Sequence, residues 1–450
     1  MTACTRADKA TIASLTKQQK EAVGLLSIGT FLEYFDLMLY VHMAVLLNEL
    51  FFPKTDSFGT SLQGAFAFCS VFVLRPVGAF IFGYIGDHIG RKTIVVFTTF
   101  VMSISCVIMA TVPTYAQIGI AASVIVTICR MLQGISSMGE IIGAEIYLTE
   151  MVKPPAQYPV VMLIAIFSIL GGTAALAIAF VTTYYNLNWR IAFWIGAGIA
   201  LVGSIARTAL KESKDFADAK RQLEDIMQKL QVNINTLQND PILHAPVKKH
   251  AIIGLFLIQC GWPMCFYLAY IYSGNILKNQ FGYKPEEIIH HNFYVSIINL
   301  LGYIFLMYLS CRIHPLKILK AKVLIFFPVA LFYPYIWNYI NSPVDVFLLQ
   351  SFIILFVLST NPATPIFYKH ISIFKRVTYG GWIYAVSRAI MHITTSFGII
   401  YAEQYLGQWG VSIIIIPTII GYGLGVFYFV KLEKEAGTYH NIAHNPSALA

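Results

Sequence analysis

Charged residues are scarce in this sequence. They make up 12% of its 450 residues, and Asp and Glu together number 22, whereas about a quarter of an ordinary soluble domain is charged. Hydrophobic residues make up 57%, and a water-soluble fold has too little interior to bury that much apolar surface. The composition therefore excludes an ordinary soluble domain and indicates a protein that resides in a lipid bilayer.

Patterns for metals, disulfides and enzymatic chemistry are also lacking. The seven cysteines are scattered, most of them within apolar runs, with no CxxC pair and no histidine spacing suited to zinc. No phosphate loop or nucleophile elbow occurs in a loop long enough to hold an active site. We therefore expect free thiols, no metal, no cofactor and no enzymatic activity.

Long apolar runs fill most of the chain. A helix needs about 20 apolar residues to cross about 30 Å of hydrocarbon, and these runs are too long for barrel strands. The predicted spans are residues 22–46, 62–85, 93–112, 117–141, 158–183, 191–209, 250–273, 288–311, 318–339, 345–368, 379–402 and 409–431. The first run has full membrane length after a polar start, so we expect no cleaved signal. The predicted fold class is an all-α integral membrane protein of about twelve transmembrane helices in two six-helix halves.

The net charge of +9 could indicate a nucleic-acid partner, so the positions of the basic residues matter. On one side of the membrane the predicted loops hold Lys54, Arg190, Lys278 and Lys284. The other basic residues of the predicted loops and chain ends, among which we count Lys320 and Lys322, lie on the opposite side. This asymmetry follows the positive-inside rule and places both termini in the cytoplasm. We therefore expect no nucleic-acid partner.

A polar segment separates the two halves. The predicted units are a cytoplasmic N-terminus (1–21), a first bundle (22–209), a linker (210–249), a second bundle (250–431) and a cytoplasmic tail (432–450). Apolar residues in the linker recur at helical spacing. This pattern favours an amphipathic helix on the membrane surface or the bundle over a site for a regulatory partner.

One stretch has a specific motif. Residues 74–92 read LRPVGAFIFGYIGDHIGRK, and this spacing resembles the signature between the second and third helices of the major facilitator superfamily. Arg75-Pro76, together with FLEYFD at residues 31–36, narrows the resemblance to the metabolite:proton symporter family. That family includes carriers similar to those for proline and betaine, 2-oxoglutarate and shikimate. Further matches are Arg130 to Gly134, Gly139-Glu140 and Trp189 to Phe193.

The resemblance implies a secondary active transporter that works by alternating access. We expect proton-coupled symport of a small polar metabolite or osmolyte with a carboxylate, such as an organic acid, an amino acid or a betaine. The implied partners are that substrate, protons and the lipid bilayer of the bacterial inner membrane. We expect a proton gradient to be the energy source and the protein to be a monomer. The motifs leave two alternatives open: an exporter of a siderophore or another secreted metabolite, and a membrane sensor that does not transport.

The motif residues suit a gate at the cytoplasmic mouth. Small residues beside Asp87 let two helix ends approach closely, and the charged residues can then form charge-assisted bonds. The predicted gating residues are Gly86, Asp87, Gly90, Arg91, Lys92 and Glu145. The alternative is that this turn only fixes helix packing. The equivalent segment of the second half has Cys311 and His314 where Asp and Gly would be needed, so the predicted gate is one-sided.

Acidic residues inside the predicted spans suit proton coupling. Glu33 and Asp36 lie three apart on one helical face, where an unpaired charge is costly. A desolvated carboxyl group takes up a proton more readily than an exposed one. We therefore predict that Glu33, Asp36 and Glu140 carry the coupled proton, against the alternative of a buried structural ion pair.

A stripe in the eleventh span indicates an anion site. Tyr384, Arg388 and His392 follow one another at four-residue spacing, and an intramembrane Arg without an acid in its own span can bind a carboxylate bidentately. The alternative is an ion pair with another helix. The seventh span is interrupted by a proline, and such helices often line transporter cavities. The predicted substrate-binding residues are Arg75, Arg130, Tyr267, Tyr270, Tyr384, Arg388 and His392.

Overall fold

The computed structural model describes residues 15–53, 56–81, 91–137, 140–209, 249–371 and 373–439. Within these ranges the regular elements are helices, and a helix occurs in each predicted span. They are α1 (Lys17–Phe51), α2 (Ser57–Val73), α3 (Arg91–Thr111), α4 (Ile120–Ser136 and Glu140–Met151), α5 (Gln157–Tyr184), α6 (Arg190–Ala209), α7 (Lys249–Phe281), α8 (Pro285–Ser310), α9 (Pro315–Leu331), α10 (Pro343–Leu355), α11 (Ile373–Ile393, with Ile399–Leu406 after a π turn) and α12 (Gln408–Glu435). Short helices at Tyr115–Ile118, Tyr333–Trp337 and Thr364–Lys369 connect them.

The lengths and compositions of these helices agree with a membrane bundle. Within the described ranges, eight helices are long and apolar enough to cross a membrane, and Phe100–Thr111, Arg190–Ile199 and Pro343–Leu355 are shorter apolar helices. The predicted all-α integral membrane fold is therefore confirmed. The units from 1–21 to 432–450 remain a prediction, because residues 210–248 and both chain ends lie outside the described ranges.

The tenth span differs most from its predicted bounds. Residues 345–368 are predicted as one helix, but α10 ends at Leu355 and the chain is not helical from Val357 until the short helix that begins at Thr364. Pro362 disfavours a helix at the end of this stretch, because proline lacks the N–H that a helix needs and disfavours helical backbone at the residue before it. We call residues 356–363 the unwound segment.

Helix α7 is also irregular. It consists of Lys249–Gln259, Gly261–Phe266, a π turn over Tyr267–Tyr272, and Ser273–Phe281. Turns of this kind often occur at functional sites because the extra residue changes the direction of the side chains. The prediction of an interrupted seventh span is therefore confirmed.

The helices pack within each half and across the two halves. Helices α1 and α5 pack against each other, as do α3 and α6, and α12 packs against α7 and α9. The halves meet where α2 contacts α11 and where α5 contacts α8. Gly171 permits the contact of α5 with α1, because a Cβ at this position would lie 2.4 Å from the carbonyl oxygen of Phe31.

The Gly171→Ala variant is expected to unfold at a lower temperature than the parent protein. The added methyl group must push α1 and α5 apart, and overpacking of this kind costs about 1–3 kcal/mol. Gly198→Ala is the matched control, because nothing lies within 4 Å of its Cβ position. Thermal unfolding of the two purified variants tests the contact, and equal unfolding temperatures would contradict it.

Candidate functional site

A cavity of about 80 Å³ lies between the two halves. Helices α1, α4 and α5 line it from the first half, and α7, α8, α11 and the unwound segment line it from the second. A cavity of about 150 Å³ accommodates a benzene ring. In this conformation the cavity therefore holds a few waters or one small chemical group, and a larger ligand requires the halves to move apart.

Side chains from both halves meet on the side of the cavity that the charge asymmetry predicts to be cytoplasmic. Arg376 Nη1 lies 2.6 Å from Glu150 Oε1, and the Tyr368 hydroxyl donates to Glu145 Oε2 at 3.3 Å. Deeper between the halves, the hydroxyl groups of Tyr34 and Tyr384 are 2.9 Å apart. These contacts join the two halves on that side of the cavity.

Contacts between the halves also occur on the opposite side. Lys278 Nζ lies 2.5 Å from Glu49 Oε1, and both side chains are partly exposed. Thr183 Oγ1 lies 3.1 Å from His290 Nε2. Contacts between the halves therefore occur on both sides of the cavity.

Arg388 is the cation in the cavity wall. Its side chain is buried, Nη1 donates to Gln259 Oε1 at 3.1 Å, and the guanidinium lies 3.5 Å from the centre of the Tyr384 ring and 5.1 Å from that of Trp262. None of the ion pairs between described residues includes Arg388. An amide and two aromatic faces thus contact the charged group, and its N–H groups can donate to a carboxylate.

Glu145 faces the same cavity. Its side chain is 5% exposed and accepts the bond from Tyr368, a residue of the other half. The sequence predicts a gating role for Glu145, and the structure positions it both in the cavity wall and in a contact between the halves. A carboxyl group in this position can affect both ligand binding and closure.

Aromatic residues form a wall beside Arg388. The Trp262 and Phe266 rings stack at 5.0 Å, the Phe266 and Tyr270 rings lie 5.1 Å apart, and the edge of His42 meets Tyr270 at 5.4 Å. The faces of such rings attract cationic groups. The cavity therefore places an aromatic surface next to a guanidinium, an arrangement that fits a ligand with two different ends.

His42 is a cavity residue that the sequence analysis did not identify. It is 8% exposed, and its Nδ1 has no hydrogen-bond partner among the described residues. Tyr34, Met38 and His42 line the cavity from α1 at four-residue spacing. This spacing is present in the sequence, but the neighbouring residues are also aromatic or apolar, so the spacing does not distinguish these three positions.

The structure brings three of the seven predicted substrate-binding residues to the cavity: Tyr270, Tyr384 and Arg388. Arg75 instead lies over the Phe72 ring at 4.7 Å. Arg130 lies over Tyr40 at 4.1 Å and donates to Gln133 Oε1 at 3.1 Å, with no exposed surface. Both arginines are buried, and neither lines the cavity.

The remaining two predicted residues also pack elsewhere. The Tyr267 hydroxyl donates to the Ser396 carbonyl at 3.5 Å, and the His392 ring lies 3.8 Å from that of Phe72 in α2. His392 shares a stripe with Arg388, but the stripe turns away from the cavity between these two positions. Its end therefore contributes to the contact between α2 and α11.

Two of the predicted proton-coupling residues, Glu33 and Asp36, do not line the cavity. Glu33 and Asp36 are 8% and 4% exposed in α1. Asp36 points toward α6, since Asp36 Oδ1 lies 3.6 Å from the Cβ position of Gly196. Glu140 begins the second part of α4, and its side chain lies outside the described part of the chain.

Most of the predicted gating motif lies outside the residues that the structure describes. Gly86, Asp87 and Gly90 lie in the undescribed residues 82–90. Arg91 and Lys92 begin α3, and their side chains are likewise outside the described part. The role of this motif therefore remains a prediction.

His314 occupies the equivalent position of the second half, between α8 and α9. Its Nδ1 accepts a hydrogen bond from the Leu316 amide at 3.3 Å, so the ring caps α9. Burial lowers the pKa of His314 to about 4, which leaves the ring neutral at physiological pH. A neutral cap thus stands where the first half has a charged motif.

Comparison with proteins of known sequence gives partial matches. The inner membrane metabolite transport protein YhjE of Escherichia coli K12 is 30% identical over 257 residues, covering 55% of either chain. The proline/betaine transporter of Salmonella typhimurium is 27% identical over 297 residues, 64% of this chain and 57% of that protein. The chain thus matches about half the length of these relatives.

Comparison with solved structures and family models covers most of the chain. The xylose transporter XylE from E. coli superimposes with a TM-score of 0.67 at 15% identity, over 92% of this chain and 98% of that one. The human organic anion transporter MFSD10 gives a TM-score of 0.64 at 15% identity, over 92% and 100%. Residues 26–395 match the model of the Major Facilitator Superfamily. The chain therefore belongs to the Major Facilitator Superfamily.

Proposed function

We propose that this protein is a secondary active transporter that takes up a small carboxylate-bearing metabolite together with a proton. The observation that carries this proposal is Arg388, a buried guanidinium in the wall of a cavity between the halves. Burying such a charge away from water costs free energy unless a ligand or another residue of opposite charge pairs with it. Its contacts are an amide and aromatic rings, which leaves binding capacity for an anion.

The proposed substrate has a carboxylate at one end and a cationic group at the other. Arg388 binds the carboxylate, and the rings of Trp262, Phe266 and Tyr270 offer faces to a substituted ammonium group. Amino acids and betaines have this chemistry, and relatives from Salmonella typhimurium and Escherichia coli are named proline/betaine transporters. A neutral sugar lacks both ends and serves as a control.

Glu145 is the proposed site of proton coupling at the cavity. When it is ionised, its charge attracts Arg388 and repels the carboxylate of a substrate. When it is protonated, the repulsion disappears and Arg388 becomes available, so proton and substrate bind together. Glu33, Asp36 and Glu140 remain proposed members of a coupling network in the first half.

Transport then requires the contacts at the two ends to open in turn. The Arg376–Glu150 pair must break on one side, and the Lys278–Glu49 pair on the other. A substrate shifts this balance only by its different affinities for the states. We propose that the protein resides in the bacterial inner membrane as a monomer. The charge asymmetry supports an orientation with the Arg376 side and both termini in the cytoplasm.

Proteoliposomes test this function directly. Uptake of radiolabelled proline and glycine betaine is measured with and without an inward proton gradient, with xylose as the control. Accumulation of either zwitterion that depends on the gradient supports proton-coupled uptake. Binding without flux would favour a sensor. Outward movement of substrate against its own concentration gradient would favour an exporter.

A further inference from the structure

Lys322 is a buried cation outside the cavity. From the sequence, Lys322 is grouped with the basic loop residues of the predicted cytoplasmic side. In the structure it lies in α9, and its side chain is 4% exposed. None of the ion pairs between described residues includes it. Lysines near membrane surfaces usually extend their ammonium group into water. This one does not, so burial of its charge needs another explanation.

The partner of Lys322 is the backbone of the unwound segment. Its Nζ donates to the carbonyl oxygen of Val357 at 3.1 Å, directly after the C-terminal end of α10. A cation at the C-terminus of a helix is stabilised by the partial negative charge of the terminal carbonyl groups. In transporters, such helix ends and unwound carbonyl groups are also where a coupling cation binds.

The unwound segment forms part of the cavity wall. Val357, Ser359, Thr360 and Asn361 all line the cavity. The segment is held from behind by Lys322 and by the Tyr422 hydroxyl, which donates to the Ser359 carbonyl at 2.7 Å. The ammonium group therefore lies behind the wall that a substrate would touch.

We propose that Lys322 is a positioning residue whose ammonium group occupies a monovalent cation site at the end of α10 and thereby fixes the substrate-facing wall. The cation is part of the chain, so the wall keeps its shape without a bound metal ion. This inference rests on the proposed transport function only for its effect on substrate. The cation site itself can be examined without transport.

The first experiment compares Lys322→Met with Lys320→Met, an exposed lysine two residues earlier on the same helix. In Lys322→Met, KM is expected to rise about tenfold while Vmax per folded transporter stays within about twofold of the parent value. The reason is that the cavity wall positions the substrate and takes no part in the later steps of transport. The control keeps the parent values. A parent-like KM in Lys322→Met, or a loss confined to Vmax, overturns the positioning role.

The second experiment measures thermal unfolding of purified Lys322→Ala with increasing methylammonium or sodium chloride. A cation that fills the vacated site stabilises the folded state, so the unfolding temperature of this variant is expected to rise saturably with one of the two cations. The parent protein and Lys320→Ala are expected not to respond. If neither cation raises the unfolding temperature of Lys322→Ala selectively, the cation site is wrong, even if the parent protein transports. If the parent protein does not transport, this experiment still decides whether the site exists.

Discussion

Replacing Arg388 with alanine is expected to abolish uptake of a carboxylate-bearing substrate. Removing one partner of a buried charged contact costs about 2–5 kcal/mol, so uptake at low substrate concentration should fall by about thirtyfold or more. Folding should change little, because the Arg388 contacts are one amide and two aromatic faces. Initial rates in proteoliposomes and the unfolding temperature of the purified variant provide the measurements.

Two further variants make this result specific. Arg312→Ala removes an exposed arginine near the end of α8 and is expected to keep parent uptake. Arg388→Lys retains the charge but loses the planar pair of donors, so it should recover only part of the uptake. Unchanged transport by Arg388→Ala would assign this residue a structural role and remove the main support for an anion site.

The Glu145→Gln variant is expected to separate substrate movement from the proton gradient. Glutamine resembles the protonated acid and can still accept the bond from Tyr368. The cavity is then permanently in the state that binds a carboxylate, so exchange of labelled for unlabelled substrate should continue. Accumulation driven by an inward proton gradient should fall to the level seen without a gradient.

The control for this prediction is Glu435→Gln, which changes an exposed carboxylate at the end of α12. Its accumulation should match that of the parent protein. Gradient-driven accumulation in Glu145→Gln equal to the parent would exclude Glu145 as the coupling residue. Glu33→Gln and Asp36→Asn would then be the next variants to measure, since both side chains are buried in the first half.

The two site predictions rest on different kinds of sequence signal. Arg388 was identifiable because an arginine within an apolar run is rare and costly, whatever the fold around it. The prediction that Glu145 forms part of a gate used only its location near the cytoplasmic end of the fourth span. Its location beside Arg388 depends on the packing of α4 against α11, which no local pattern specifies.

Periodicity also misjudged which residues face the cavity. The stripe Tyr384, Arg388, His392 is regular in the sequence, yet His392 packs against Phe72. Conversely, His42 lines the cavity and was not predicted. In a membrane bundle both the lipid-facing and the buried surfaces of a helix are apolar, so a sequence pattern gives the helix but not the direction of its faces.

The sequence by itself determined that the protein is a bundle of membrane-length helices, because apolar runs in a bilayer must satisfy their backbone hydrogen bonds within each helix. It also determined the superfamily, through the motif at residues 74–92, and one functional candidate, Arg388. The tertiary structure decided which side chains share the cavity, that the halves make contact on both sides of it, and that Lys322 lies behind its wall. These features depend on contacts between helices far apart in the chain, and local residue patterns contain no information about such distances.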